Sequence, residues 1–571
     1  MNQKIEKVLK IIISILCVVC IAGFAFSLTP KTLQNDTFYT IKIGELIEKN
    51  TEKVSDLLPW NKGLDMEDHF SYHNLPYTYP HWLYDFLTYK IYSVWNFDGV
   101  YVATCILAVI MALLIYFVNR KLNNGKIVSL FVTIGTLYCL RNFIAARAQL
   151  ATFILFILTI FGIEQFLKTK KLRYAFLLVI IPILIANLHC AVWPFYFVLY
   201  LPYIAEYICV GLATANYETF AKKIKLHFKK KKIGKMQYNI EKNKVRKLDE
   251  KHNKKVVENL NKTNKLEVNK EKNVKWLILI FVICIFTGLL TPIKDTPYTY
   301  LIKTSIGNTT QNISEHLPLT LVKNSDMIVV FAAVFGILIF SKVKIRVRDF
   351  FMLMGLIVLS FYSQRQVSML VLIGNFIFAR LICGIIENIK MKLKKYENGD
   401  LKLAAKFSSI LVPYVFIFCI ITISFCNFLD KKKDVYINKN LYPVEAANYI
   451  NEEIIPKVGK ENLRLYNEYN YGSYLLFSGI PVFIDSRADL YAPEFNGIRT
   501  KSGKYYGKDV FSDFIDISNL STDYEQKFEQ YKITHVMTLW NSKLSTLIAK
   551  DSNYKLIYND GFFKIFEKEN V

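Results

Sequence analysis

The residues Asn35-Asp36-Thr37-Phe38-Tyr39 follow the first long apolar run and place a carboxylate where a chain leaves a bilayer. The same connection, 35–95, continues through Asp68-His69-Phe70-Ser71-Tyr72 and Tyr79-Pro80-His81-Trp82-Leu83, so acids, imidazoles and aromatics gather together. A carboxylate in this setting can orient a hydroxyl and take its proton. Arg141, Arg147 and Arg365 stand in short connections between later apolar segments. Guanidinium groups match phosphate oxygens two at a time, so these arginines suit a phosphate or pyrophosphate held at a membrane surface. Asn187 and His189 end another segment, and Glu315 with His316 lies in the loop from Pro292 to Asn324. They add groups able to contact a sugar or an acceptor. The same residue types also serve structure. Asn35 or Asp36 suits the N-cap of an amphipathic helix through Phe38, Ile41 and Leu46, the arginines suit anchors of helix depth, and His189 suits a carbonyl in a bundle.

The elements that must position these groups are membrane helices. A 571-residue chain that is 53% hydrophobic, with mean hydropathy +0.24, is too apolar for one soluble domain. Its apolar runs recur near the length of about 20 residues that crosses a bilayer. Eleven are expected, at 11–28, 98–118, 127–145, 148–167, 172–187, 190–212, 276–291, 326–341, 349–362, 367–385 and 406–427. The first follows a basic N-terminus, but Leu28-Thr29-Pro30 is a poor cleavage site, so it reads as a retained helix. Trp82 to Trp95 is short and flanked by aromatics, which predicts an interfacial helix. Lys4, Lys7 and Lys10, then Arg120 to Lys126, Lys168 to Arg173, Lys342 to Arg348 and Lys390 to Lys395 all fall in alternate connections. That asymmetry puts the N-terminus in the cytoplasm and Asp36, Asp68, His69, His81, Arg141, Arg147, Asn187, His189, Glu315 and Arg365 on the opposite face. All ten cysteines lie in apolar segments, so neither a disulfide framework nor a thiolate zinc site is expected.

Residues 220–275 form an insertion with twenty Lys or Arg against six acids, +14 of the formal +25. Without interleaved aromatics it gives no support to nucleic-acid binding. It reads as a disordered or loosely helical cytoplasmic segment lying against anionic lipid headgroups. From 428 to 571 the apolar runs shorten to strand length, at Leu463–Tyr466, Pro481–Ile484, Ile533–Leu539, Tyr554–Tyr558 and Phe562–Phe566. Helical patterns over Val444–Ile454 and Leu544–Lys550 make this an extracytoplasmic α/β domain, and Asn559-Asp560-Gly561 predicts a hairpin. Asp485, Arg487 and Asp489 follow the second of these runs, placed either to contact sugar or acceptor or to form a structural ion pair. No glycine-rich phosphate loop is present, so a nucleotide-sugar domain is not expected. The domains expected are therefore 1–427, carrying the 35–95 loop and the insertion, and 428–571.

The placement of Asp36 after the first helix, an interfacial helix in its loop, about eleven crossings and an outer C-terminal domain resemble the GT-C superfamily of integral-membrane glycosyltransferases. A bacterial branch is similar at Asp36 to Gly44, Asp68 to Tyr72, His81-Trp82-Leu83, Arg147-Ala148-Gln149, Asn187-Leu188-His189 and Phe483 to Asp489. Asn312-Ile313-Ser314-Glu315 and Glu468-Tyr469-Asn470-Tyr471-Gly472 are distantly similar to two motifs of the oligosaccharyltransferase catalytic subunit. The Trp-Trp-Asp triplet of that family is absent, and the hairpin from Arg141 to Gln149 lacks the acidic metal-binding pair. The resemblance implies transfer of a sugar from a polyprenyl-phosphate donor to a cell-envelope acceptor. Asp36 would be the base, with Arg147, Arg365, His189 and Arg141 on the donor phosphate. Asp68, His69, His81, Asn187, Glu315, Asp485, Arg487 and Asp489 would contact sugar or acceptor. No cofactor is assigned; a divalent metal is admissible, though its usual acidic pair is missing. The alternatives are a transporter or flippase for a lipid-linked or anionic substrate, and a noncatalytic envelope scaffold.

Overall fold

In the computed structural model, the described residues are all except 1–2, 52–63, 65–67, 69, 124, 230–233, 308, 323, 396–398, 501–503 and 570–571. Helices account for every expected apolar segment. The first part of the chain gives α1 (Gln3–Leu28), α2 (Asn35–Lys49), α3 (Trp82–Asn123), α4 (Lys126–Leu140), α5 (Ala148–Thr169), α6 (Leu172–Leu188), α7 (Trp193–Val198) and α8 (Leu201–Ala213). The insertion supplies α9 (Tyr217–Lys229) and α10 (Lys235–Thr263). Then come α11 (Val274–Ile285), α12 (Thr296–Ile306), α13 (Thr309–Asn312), α14 (Ser325–Phe340), α15 (Val347–Tyr362), α16 (Val367–Lys395) and α17 (Gly399–Lys431). Among the described residues six helices are long and apolar enough to cross a bilayer and three more apolar ones are shorter, against the eleven crossings expected. The chain is a multi-pass membrane protein.

The expected helix at 82–95 is present, and it breaks sharply from the crossing that follows at Asn96, where φ is +51°. Of the disordered and loosely helical alternatives for the basic insertion, its described residues take the helical one: Asp249 of α10 accepts hydrogen bonds from Thr219 (2.9 Å) and Lys223 (2.7 Å) of α9, which ties the two helices together. Beyond α10, β1 (Leu266–Glu267) pairs in parallel with β2 (Ile345–Arg346), docking the end of the insertion onto the bundle.

The C-terminal domain carries a four-stranded mixed sheet built from β3 (Leu465–Tyr466), β6 (His535–Leu539), β7 (Tyr554–Asn559) and β8 (Phe563–Lys568), in the order β3-β6-β8-β7. A separate two-stranded ribbon pairs β4 (Ile498–Arg499) with β5 (Tyr505–Tyr506). The β7–β8 hairpin turns at Asn559-Asp560-Gly561, with Gly561 at φ +87°, a backbone region open to glycine. The expected strand at Pro481–Ile484 does not join the sheet. Val482 instead makes an isolated bridge to Ser71 of the first loop.

That bridge belongs to a larger union. One apolar core fills the helix bundle, while a second contains Phe38, Ile41, Ile43 and Tyr79 together with Tyr442, Leu465, Phe483 and Val536. The first loop therefore packs as part of the C-terminal domain, although sequence order places it with the bundle. Phe38 is fully buried, with edge-on contacts to Tyr442 (4.9 Å) and Tyr474 (5.2 Å). On the opposite side of α2, Gly44 lies against α3 so closely that a Cβ there would come 2.2 Å from the Asp85 carbonyl oxygen. Helix α2 is thus fixed on both sides, and with it Asp36 in its first turn.

Candidate active site

The helices that run toward one end of the bundle deliver their ends to a single place. Asp36 comes from the first turn of α2, His81 precedes α3, Arg147 is the N-cap of α5, and His189 caps the C-terminus of α6. Glu315 and Arg365 lie in the single 3-10 turns Ser314–His316 and Gln364–Gln366. Backbone bonds lock these connections together: Thr37 Oγ1 donates to the Ala146 carbonyl (3.3 Å), the Cys190 N–H to Pro80 (2.9 Å), and the Gln364 N–H to Leu317 (2.8 Å). The Ser363 hydroxyl donates to the Glu315 carbonyl at 3.3 Å.

At the centre, Arg147 Nη2 donates to Asp36 Oδ2 at 2.6 Å, and Nη1 stands 3.6 Å from Glu315 Oε1. The capping alternative for Asp36 is not realised. Gln34 occupies the N-cap without a side-chain bond, and Asp36 faces Arg147. The two carboxylates raise the Arg147 guanidinium above its ordinary range, with Asp36 the larger cause. Burial competes at Glu315, but Arg147 and Arg365 leave its carboxyl below the usual value. The histidines are held neutral. Burial, reinforced by Arg365 and Arg147, pushes His81 down to about 3; burial and Arg365 push His316 down to about 4. His189, buried with its ring 4.8 Å from that of His81, is likewise driven well below the ordinary imidazole value, by burial first and then by His81 and the two arginines. Fixed positive charge in the site therefore resides on arginine.

These groups line a cavity of about 330 Å³, roofed by Tyr469, Asn470 and Asp489 of the C-terminal domain. A second cavity of about 450 Å³, toward α4 and α14, shares Arg147, Gln149, Glu315 and Arg365 with the first. Arg141 lines this second space, where its guanidinium pairs with Asp326 at 2.9 Å. A third, of about 430 Å³, opens between the Asn312–Ser314 loop and Tyr466, Tyr469, Phe511 and Phe514.

Several expected contact residues lie elsewhere. Asp68 is buried and accepts from Arg487 Nη1 at 2.9 Å and from the Ser71 hydroxyl at 2.6 Å. Asp485 is buried on the same arginine at 2.6 Å and accepts from the Tyr491 hydroxyl at 2.7 Å. Asp68, Arg487 and Asp485 form one closed ionic cluster joining the first loop to the C-terminal domain, and neither acid lines the cavity. Arg487 reaches its wall with its guanidinium already committed. Asn187 is likewise structural: it accepts from Trp82 Nε1 (3.2 Å) and donates to the Leu290 carbonyl (2.9 Å). Asp489 does line the cavity, near Thr78 Oγ1, and burial raises its carboxyl. His69 lies outside the described residues. Tyr39, Tyr77, Tyr84, Tyr300 and Tyr469 also line the site, unforeseen as contact residues. The one local signal was the Glu468 to Gly472 motif, in which a Cβ on Gly472 would meet the Ile484 carbonyl at 1.9 Å, seating Tyr469 and Asn470 against the 484–486 loop.

Among the described residues no three His, Cys, Asp or Glu side chains converge as a metal-ligand set. Asp36 and Glu315 are the acids that reach Arg147, and its guanidinium lies between them. A cation of the protein's own thus stands where two acids could share a divalent ion.

Comparison with family models finds no match, nor does comparison with curated proteins. Among solved structures the chain is similar to the apo form of the Archaeoglobus fulgidus oligosaccharyltransferase, with a TM-score of 0.54 and 11% identity over 92% of this chain and 69% of that one. It is similar as well to the same enzyme tethered by a disulfide to an acceptor peptide containing the NVT sequon, with a TM-score of 0.51 and 12% identity over 92% and 68%. The likeness first read from the sequence holds at the level of fold: the chain is similar in fold to an oligosaccharyltransferase.

Proposed function

We propose that the protein is a membrane glycosyltransferase that moves a sugar from a polyprenyl-phosphate donor to an acceptor hydroxyl at the extracytoplasmic face. The observation that carries this reading is the Asp36–Arg147–Glu315 constellation, with Arg365 beside it, at the junction of two cavities. The lipid-linked donor enters from the α4–α14 side, where Arg141, Arg147 and Arg365 meet its phosphate. The acceptor enters beneath the C-terminal domain, among Tyr39, Tyr300 and Tyr469. Asp36 orients the acceptor hydroxyl and receives its proton as the acceptor oxygen bonds to the anomeric carbon. The bond from that carbon to the phosphate oxygen breaks, and the charge left on the phosphate is stabilised by Arg147 and Arg365. The neutral histidines hydrogen-bond sugar hydroxyls without repelling the arginines.

With Asp36 as the base at the acceptor and Glu315 held against Arg147, the sugar is transferred with inversion in a single displacement. The donor set around Arg147 does not suit a divalent metal, and the mechanism uses none. The test is transfer from radiolabelled polyprenyl-phosphate sugars to a membrane extract by purified protein, with the anomeric configuration of the product determined. An inverted product in the presence of a chelator is expected. Movement of intact donor across vesicles with no transfer from any donor would replace this reading with that of a flippase.

A further inference from the structure

At the end of the bundle away from the site lies a second polar cavity that the proposed reaction does not use. It measures about 550 Å³ and sits between the last turns of α3 and α5, the Lys270–Asn273 segment after β1, and Arg346, Arg348 and Arg380 of the β2–α16 region. Along helix α5 the cavity begins at Glu164, about 26 Å from Arg147. Seven cationic side chains line it against two carboxylates, Glu164 and Glu271.

The deepest charges are partly balanced. Arg346 bonds Glu164 (2.8 Å) and Asp349 (2.7 Å), and Arg380 pairs with Asp349. Arg348 is different. Only 6% exposed, its Nε and Nη1 make no hydrogen bond, and the nearest carboxylate oxygens are those of Glu164 at 3.7 Å and Glu206 at 3.6 Å. Counting Asp349 and Glu206 behind the wall and Glu250 on Lys272, the cavity still holds a formal excess of +2. Nearer the mouth, Lys270 donates to Thr214 Oγ1 at 2.9 Å; burial lowers its ammonium, with Asp249 opposing and its cationic neighbours Lys223 and Lys272 adding to the fall. Lys272 reaches Glu250 at 3.3 Å, while Lys121 and Lys168 point exposed ammonium groups into the same rim. The rim is held in shape: the β1–β2 pair anchors it on one side and Asn273 Nδ2 donates to the Leu167 carbonyl at 2.7 Å on the other.

We infer that this cavity is a binding site for a polyanionic phosphate group. Crowded like charges around a buried guanidinium held only by long ion pairs are stabilised by an anion that offers several oxygens, and phosphate matches both the guanidinium fork and the ammonium groups. An excess of +2 favours a group bearing two phosphates over a single charge. The cavity lies at the ends of membrane helices, level with headgroups, so either a diphosphate lipid of that leaflet or a soluble diphosphate supplies the same chemistry. The inference is independent of the reaction proposed above.

The test uses the full chain in phosphatidylcholine nanodiscs. Binding of cardiolipin, as the two-phosphate lipid probe, and of inorganic pyrophosphate is read by native mass spectrometry. The triple variant Lys121→Gln, Lys168→Gln, Lys270→Gln is compared with Lys244→Gln, Lys254→Gln, Lys262→Gln, which removes equal charge from the exposed insertion helix. Wild type and the insertion variant are expected to bind a phosphate probe alike, and the cavity variant about tenfold or more weakly. Cardiolipin bound and resistant to pyrophosphate identifies a lipid source; pyrophosphate bound without cardiolipin identifies a soluble one, and both support the site. Equal loss in the two triple variants, or no preference for either probe over phosphatidylcholine, overturns it. The single variants Lys121→Gln and Lys168→Gln keep the comparison valid if the triple fails to fold.

Discussion

Replacing Arg147 by alanine removes the cation that stands between Asp36 and Glu315, at 2.6 and 3.6 Å. Two unit charges about 4 Å apart interact by about 4 kcal/mol at an effective dielectric near 20. If about half a charge develops on the leaving phosphate oxygen, Arg147 contributes about 2 kcal/mol to the transition state, or about 30-fold in rate. Asp36 also loses the bond that aims it, which brings the expected fall in kcat to about 100-fold. Arg147→Lys keeps the charge and loses the fork, so it should lie between the two. Initial rates of transfer at saturating donor measure this, with thermal unfolding recorded beside them because the pair also ties α2 to α5. A folded Arg147→Ala protein that turns over within about twofold of wild type would refute the electrostatic argument.

The two acids of the first loop should separate cleanly. Asp68→Asn leaves Arg487 with one carboxylate in a closed cluster and should cost about 3–5 kcal/mol of stability, seen as a lowered Tm or lost protein, with specific activity of the surviving fraction retained. Gly44→Ala should displace α2 from α3 and lower both Tm and activity, since no Cβ fits beside the Asp85 carbonyl. Because His81 titrates at about 3 and His316 at about 4 in the folded protein but near 6.5 when unfolded, the unfolded chain binds more protons between those values. Stability should be full above about pH 6.5 and fall as pH drops toward 4, while the rate shows no histidine inflection between pH 6 and 8. Activity should persist after exhaustive chelation and gain nothing from added Mn²⁺.

Much of the site's location was legible because charge asymmetry alone sorts the connections of a membrane protein into two sides. Asp36, Arg147, His189, Glu315 and Arg365 all fall in connections of one side, and the helix ends bring them together. What the sequence did not separate was Asp36 from Asp68. Both are acids of one loop, and the difference is Arg487, a partner 419 residues away that buries one of them. The tyrosines of the cavity were hidden for a statistical reason: the chain has 36, and local pattern does not mark those that the C-terminal domain brings over the site. Asn187 was misread because its amide suits a sugar as well as it suits Trp82 and a carbonyl. In the insertion, composition announced the absence of a core, but the contacts that order it, Asp249 to α9 and β1 to β2, are tertiary. Pro481–Ile484 had the composition of a strand and found its neighbour in the first loop rather than in the sheet.

The most direct measurement is sugar transfer from a radiolabelled polyprenyl-phosphate donor by purified wild type and by Asp36→Asn at equal abundance and equal Tm. The asparagine keeps the shape of the side chain and cannot take a proton. The account predicts transfer by the wild type and a loss of at least about 100-fold in the variant, with donor binding retained. Equal transfer by the two proteins would remove Asp36 from the chemistry and contradict the account at its centre.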